Sequence, residues 1–197
     1  MRELSLHVLD LIQNSVEAGA SRVDIYVAED SGVNRLTLRV TDDGKGMDPE
    51  LLRQVLDPFV TTRQTRRMGL GLPLLEGAAR QTGGSVAVTS VPGQGTTVTA
   101  TFGLNHLDRA PLGDMAATVM VALAVNPELK LGYRHRREGS EIEFDTEIIE
   151  RQLGRVSWGD PRVAAWTRET IRSGLTRLSE PEGTGPAHDK GRLGYGT

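Results

Sequence analysis

Leu36-Thr37-Leu38-Arg39-Val40-Thr41-Asp42-Asp43-Gly44-Lys45-Gly46-Met47 passes from strict apolar and polar alternation into two carboxylates and a Gly-x-Gly. Alternation with a period of two marks a strand with one buried face. Glycine has no Cβ, so the loop that follows can meet another backbone or a flat ring at close range. A strand that delivers carboxylates into such a loop has the makings of a binding site, although an ordinary acidic turn has the same local pattern. An EF-hand is excluded, because the ligand positions and terminal Glu do not fall at the required offsets.

Working outward, Val23, Ile25 and Val27 alternate as a second half-buried strand before the Ser31-Gly32 turn. Leu4 to Ala18 reads as an amphipathic helix with Leu4, Val8, Leu11, Ile12 and Val16 on one arc. His7, Asp10, Asn14 and Glu17 share the opposite arc, within roughly 80° of each other. Asp48-Pro49-Glu50 starts a short helix to about Val55. Residues 57 to 69 are polar, basic and without periodicity, which predicts a mobile loop, and Leu70 to Gln81 predicts a helix opening beside Gly69 and Gly71. Ser85 to Val91 and Thr96 to Phe102 flank Pro92-Gly93-Gln94-Gly95 as a hairpin. This order predicts an α/β (α+β) fold, a two-layer sandwich of a mixed sheet with helices on one face.

After Asn105 the character changes. Pro111 is expected to open a helix, Leu112 to Val125, apolar nearly all round and therefore buried against the first domain or a partner. Leu129 to Arg137 and Glu141 to Thr146 read as a hairpin, and Asp160-Pro161 caps a last helix carrying Val163, Trp166 and Ile171. The basic run Lys130 to Arg137 has Tyr133 as its sole aromatic and an acidic neighbour in Glu141, Glu143 and Asp145, so pairing across strands is favoured over nucleic-acid binding. From Ser179 onward Pro, Gly and charge dominate, which predicts disorder. The expected organisation is a domain over 1–105, a small α/β appendage over 106–178 and a tail over 179–197.

Composition narrows the chemistry. The chain has no cysteine, which excludes disulfides, thiolate metal sites and thiol catalysis. A formal net charge of −3 supplies no global attraction to nucleic acid or anionic membrane. The longest apolar run, Met115 to Val125, is too short to span a bilayer, and no secretory signal pattern opens the chain, so a cytoplasmic protein is expected. Many of the 23 glycines cluster between Gly44 and Gly95, pointing to backbone-lined loops. Asp10 and Asn14, one turn apart, could ligate Mg and activate a water, or form a solvated polar face. Met68-Gly69-Leu70-Gly71-Leu72 puts free amides and a helix dipole where phosphate is stabilised, but it is neither a Walker loop nor a complete dinucleotide fingerprint.

Order adds what single motifs lack. Leu9-Asp10-Leu11-Ile12-Gln13-Asn14-Ser15-Val16-Glu17-Ala18-Gly19-Ala20 resembles the N box of the gyrase, heat-shock chaperone, histidine kinase and MutL ATPase superfamily. Asp42 to Met47 resembles its first glycine box, Asp57-Pro58-Phe59-Val60-Thr61-Thr62-Arg63 the F box of histidine kinases, and Met68 to Leu72 the second glycine box. Gly93-Gln94-Gly95-Thr96-Thr97-Val98-Thr99-Ala100-Thr101-Phe102 resembles the last glycine-threonine strand. The likeness covers roughly residues 1 to 103 and is nearest to stand-alone bacterial histidine-kinase-like ATP-binding proteins.

The resemblance implies a Bergerat-type ATP-binding fold and ATP and Mg as ligands. It makes Asn14 the Mg ligand and Asp42 the acceptor for the adenine amino group, with Thr96 or Thr97 assisting through water. Gly44 and Gly46 would let the base lie close. Residues 58 to 69 become an ATP lid holding Thr62, Arg63, Arg66 and Arg67, cations that could reach the terminal phosphate or simply solvate the loop. Gly69, Leu70, Gly71 and Leu72 form its phosphate end. Asp10 stands where hydrolysing members carry Glu and many histidine kinases carry Asn, and is the expected general base. Because the N box begins almost at Met1, the phosphoacceptor hairpin of histidine kinases is expected in trans. The implied function is kinase transfer to a separate protein, with a nucleotide-gated switch or a slow ATPase as alternatives. His7, on the same arc as Asp10, could orient it or be a surface histidine.

Overall fold

The structure is a computed structural model and describes residues 3–55 and 71–179. The chain runs α1 (Leu4–Glu17), β1 (Arg22–Asp30), β2 (Arg35–Asp42), α2 (Pro49–Gln54), α3 (Gly71–Arg80), β3 (Ser85–Val91) and β4 (Gly95–Gly103). It continues through α4 (Met115–Val125), β5 (Lys130–Arg137), β6 (Ser140–Asp145), α5 (Thr146–Leu153) and α6 (Pro161–Ser179). The six strands form one mixed sheet in the order β3-β4-β2-β1-β5-β6. β1 and β5 are parallel, and the other neighbours are antiparallel.

The two-residue period of each strand builds the core. Register aligns Val23, Ile25 and Val27 of β1 with Leu131, Tyr133 and His135 of β5, and aligns Val40, Leu38 and Leu36 of β2 with Val98, Ala100 and Phe102 of β4. All of these are buried, and α1, α3 and α4 pack against that face through Leu4, Val8, Leu11, Leu75, Ala79 and Met115. The opposite face carries Thr37, Arg39 and Thr41 beside Thr101, Thr99 and Thr97. The sandwich predicted from element order, with helices on one face, is the observed architecture.

Residues 130–145 add β5 and β6 to the same sheet that holds β1–β4. The preceding segment is tied to α1. Leu4 N–H donates to the Pro111 carbonyl at 3.0 Å and Ser5 N–H to the Leu112 carbonyl at 2.8 Å, satisfying amides that a helix start leaves open. The helix expected from Leu112 accordingly begins at Met115, with Asp114 as its N-cap accepting from Ala117 N–H at 2.9 Å. Its apolar surface is largely covered by α1 and α6, though Val121 and Val125 stay exposed. Asp145 caps α5, a helix the sequence reading lacks, and Arg134 pairs across strands with Glu143 and Glu141 as expected. The tail at 180–197 lies outside the described residues, as does the loop at 57–69.

Two devices here are directly testable. Gly113 has φ +81°, and a Cβ on it would fall on Ser5 and Glu3. Gly113→Ala should therefore destabilise by about 1–3 kcal/mol, read as a lower urea midpoint at unchanged slope; an unchanged midpoint would separate α1 from this segment.

At the other end of β1, His135 donates through Nε2 to Glu29 at 2.9 Å while its Nδ1 meets the Tyr133 hydroxyl at 2.9 Å. The His135 hydrogen bond, aided by Arg137 and Arg109 and opposed by burial, holds the Glu29 carboxyl below its ordinary value of 4.5. A depressed carboxylate contributes stability that is complete above its unfolded value and disappears as pH falls through the folded one. Glu29→Gln should be less stable at neutral pH and should lose less stability than the wild type between about pH 5 and about pH 3.

Candidate nucleotide site

The end of β2, the glycine loop and α1 meet in a cavity of about 260 Å³ whose lining includes Asn14, Ser15, Asp42, Gly46, Leu72 and Thr96. Leu11, Val40, Met47 and Val98 supply apolar wall. Two hollows of about 550 Å³ lie elsewhere, between α5 and α6 and around Asn34, Gly84 and Thr101, and neither is lined by a residue of the nucleotide site expected from sequence. The convergence of polar groups in a mostly apolar hollow selects this one.

Asp42 is the most constrained group. Its Oδ1 accepts Gly44 N–H at 2.9 Å and Thr96 N–H at 3.2 Å, and its Oδ2 accepts the Ser15 hydroxyl at 2.9 Å. Asp43, its neighbour, turns elsewhere and accepts Ser21 N–H, the Ser21 hydroxyl and Arg22 N–H. Although its partial burial works the other way, these bonds keep the Asp43 carboxyl below the usual range. Of the two adjacent carboxylates, one faces the cavity and the other ties the loop to β1.

The glycines act first on backbone packing. A Cβ on Gly44 would stand 3.0 Å from the Ala18 Cβ, and one on Gly46, at φ +64°, would fall on the Val91 carbonyl. Gly71 opens α3 against α1, where a side chain would lie 3.4 Å from the Asp10 Cβ and 3.6 Å from its Oδ2. Asp10 thus faces the start of α3, and Asn14, one turn later, lines the cavity. Thr96 also lines it, whereas the Thr97 hydroxyl bonds Thr41 at 3.1 Å on the opposite face of the sheet. Alternation permits one of two successive threonines to face the cavity. His7 is only 3% exposed and is part of the buried set, not of the surface. Thr62, Arg63, Arg66, Arg67, Gly69 and Leu70 lie outside the described residues.

Sequence reasoning missed Ser15 and Ser90. Ser15 is 3% exposed and follows Leu11 by one turn, so a hydroxyl within the apolar arc was the available signal. Ser90 becomes visible once β3 pairs with β4 and places it opposite Thr96. Among the described residues there is no group of three or more His, Cys, Asp or Glu able to hold a metal by itself. No described helix is long and apolar enough to cross a membrane.

The family model described as histidine kinase-, DNA gyrase B-, and HSP90-like ATPase matches residues 2–106. The chain belongs to this family. ATP is therefore the ligand class of this histidine kinase-like ATPase domain. Sensor histidine kinase ZraS of Salmonella typhimurium strain LT2 is 36% identical over 93 residues, 47% of this chain and 20% of that protein. Signal transduction histidine-protein kinase AtoS of Escherichia coli K12 is 33% identical over 109 residues, 53% of this chain and 17% of that protein. Each match spans a fifth or less of the relative's own length. The solved N-terminal domain of a DNA repair protein superposes with a TM-score of 0.54 at 17% identity, covering 74% of this chain and 53% of that chain. At that identity the likeness speaks for the fold.

Asp42→Asn is close to isosteric, and its remaining oxygen can still accept from Gly44 and Thr96. The variant should fold within about 1 kcal/mol of wild type yet lose most of the ATP-induced rise in melting temperature, since a ligand bound only to the native state stabilises it by mass action. A full ATP shift in Asp42→Asn would place the adenine elsewhere.

Proposed function

We propose that this domain binds Mg-ATP in the cavity between α1 and the glycine loop and transfers the terminal phosphate to a separate protein. The carrying observation is the fixed Asp42 carboxylate facing the cavity, with Asn14 on its wall and Asp10 turned toward the start of α3. Asp42 would accept the adenine amino group, Leu72 and Val98 would cover the ring, and the first amides of α3 would meet phosphate.

A single amide oxygen suits Mg, which keeps several waters and takes few protein ligands beside nucleotide phosphates. Asn14 would supply that oxygen, and the ion's contribution when bound is to neutralise charge on the phosphates. Asp10 would hold the proton of the attacking group. The nucleophile's bond to the terminal phosphorus forms, the bond to the bridging oxygen breaks, ADP leaves, and the nucleophile's proton passes to an Asp10 Oδ atom. With water as nucleophile the same step is hydrolysis.

A switch reading has one specific support. Asp10 is a methylene shorter than the Glu of hydrolysing members, and a misplacement of about 1 Å can cost roughly a hundredfold in rate. The apolar α4 offers this reading little surface for a partner, because α1 and α6 already cover most of it.

Purified protein incubated with terminally labelled ATP, alone and with host extract, separates the readings. Label on a second protein supports transfer, released phosphate alone supports an ATPase, and unchanged bound ATP supports the switch. If hydrolysis is found, Asp10→Asn should slow it by about a hundredfold or more and leave ATP affinity within about threefold. Asn14→Ala should abolish the Mg-dependent part of that affinity. Equal loss of binding in both variants would make Asp10 a ligand or anchor and remove it as the base.

A further inference from the structure

Ser90 lies near the end of β3, directly opposite Thr96 in the β3–β4 ladder. Its Oγ is 2.8 Å from Met47 N, 2.9 Å from the Gly95 carbonyl and 2.9 Å from Thr96 Oγ1. A serine hydroxyl offers one proton and two lone pairs. Met47 N–H can only donate and the Gly95 carbonyl can only accept, so Ser90 spends its proton on Gly95 and one lone pair on Met47. The one capacity left is a lone pair, and Thr96 must be the donor to it. The Thr96 proton is thereby turned away from the cavity, which receives lone pairs alone.

The same inventory holds for the groups joined to Thr96. Asp42 Oδ1 is filled by Gly44 N–H and Thr96 N–H, while Oδ2 takes the Ser15 hydroxyl and keeps room for one more donor. The Ser15 proton is committed between Asp42 and the Leu11 carbonyl, 3.1 Å away. Ser15, Asp42 and Thr96 therefore present acceptors and no proton.

We propose that Ser90 is a specificity-determining positioning residue that holds Thr96 as an acceptor, so that the site selects purine nucleotides by an amino group at C6. The inference rests on the nucleotide-binding reading above. A 6-amino group donates to the open side of Asp42 Oδ2. A 6-oxo group sets its lone pairs against the carboxylate with no hydroxyl proton to meet them, and an unmet polar group at a buried site carries a desolvation penalty. Removing the Ser90 hydroxyl frees the Thr96 proton to rotate into the cavity and serve a 6-oxo group.

Calorimetric dissociation constants for ATP and inosine triphosphate test this. The two differ at the six position and at N1, which bears a proton in inosine triphosphate, so purine riboside triphosphate, with no six-position group and an unprotonated N1, is measured beside them to separate the two changes. Wild type should prefer ATP, and Ser90→Ala should narrow the ATP preference by about three- to tenfold. Ser90→Thr, which keeps the hydroxyl, should retain the wild-type ratio. The double variant Ser90→Ala with Thr96→Val should match Thr96→Val alone, a result that a purely structural role of Ser90 would not give. A folded Ser90→Ala with an unchanged ratio overturns the proposal, as does an equal narrowing in the Thr96→Val background. If Ser90→Ala does not fold, Ser90→Cys, with a weak donor and acceptor, should show the same narrowing, and an unchanged ratio there overturns it equally. A wild type that binds ATP no better than inosine triphosphate overturns the adenine reading itself.

Discussion

The Asp42 carboxylate is gripped by donors from three separate segments: the Gly44 amide of its own loop, the Thr96 amide of β4 and the Ser15 hydroxyl of α1. Ser15 and Thr96 lie 27 and 54 residues from Asp42 in sequence, so the carboxylate is set by the fold as well as by its local turn. A group ordered before the ligand arrives costs no further ordering on binding. Around it the spacing is backbone on backbone. Gly46 meets Val91, and Gly44 meets Ala18, which leaves the cavity bounded by main chain on one side and by Leu11, Val40 and Val98 on the other.

The second determinant is the placement of α1, which brings Asn14 and Ser15 to the cavity wall and turns Asp10, one turn earlier, toward the start of α3. Its core face is held by the sheet, and its first amides by the carbonyls of Pro111 and Leu112. Thr118 of α4 adds a 3.4 Å hydrogen bond to the Ser5 carbonyl. The region that matches the family ends near residue 106, yet residues beyond it complete the sheet and anchor the helix on which the proposed chemistry depends. Asp10 and Asn14 on α1 and the Asp42 carboxylate on β2 are thus fixed through different parts of the chain.

Most of the fold was legible in the sequence because its signals are local and periodic. Val23-Ile25-Val27 and Leu36-Leu38-Val40 announce one buried sheet face, and the apolar arc of α1 announces what covers it. Asp42 and Asn14, which line the cavity, were legible as candidates from ordered motifs. Illegible features depend on which elements come together. His7 is buried because α1 is covered on more than its sheet side, which widens the buried arc beyond a single-face wheel. Thr96 and Thr97 are equivalent in sequence, and only the register of β4 decides that Thr97 turns to Thr41. Ser90 has no sequence signal at all. The start of α4 was displaced to Met115 because the carbonyls before it were already committed to α1, and α5 was missed because its start hides in the residues that end β6.

The most direct measurement of the account is a crystal structure of the protein with Mg-ATP. The adenine amino nitrogen should lie at hydrogen-bond distance, about 2.8–3.1 Å, from Asp42 Oδ2, with the phosphates toward Asn14 and the start of α3. Adenine bound elsewhere, or bound here with its amino group turned away from Asp42, would contradict the account.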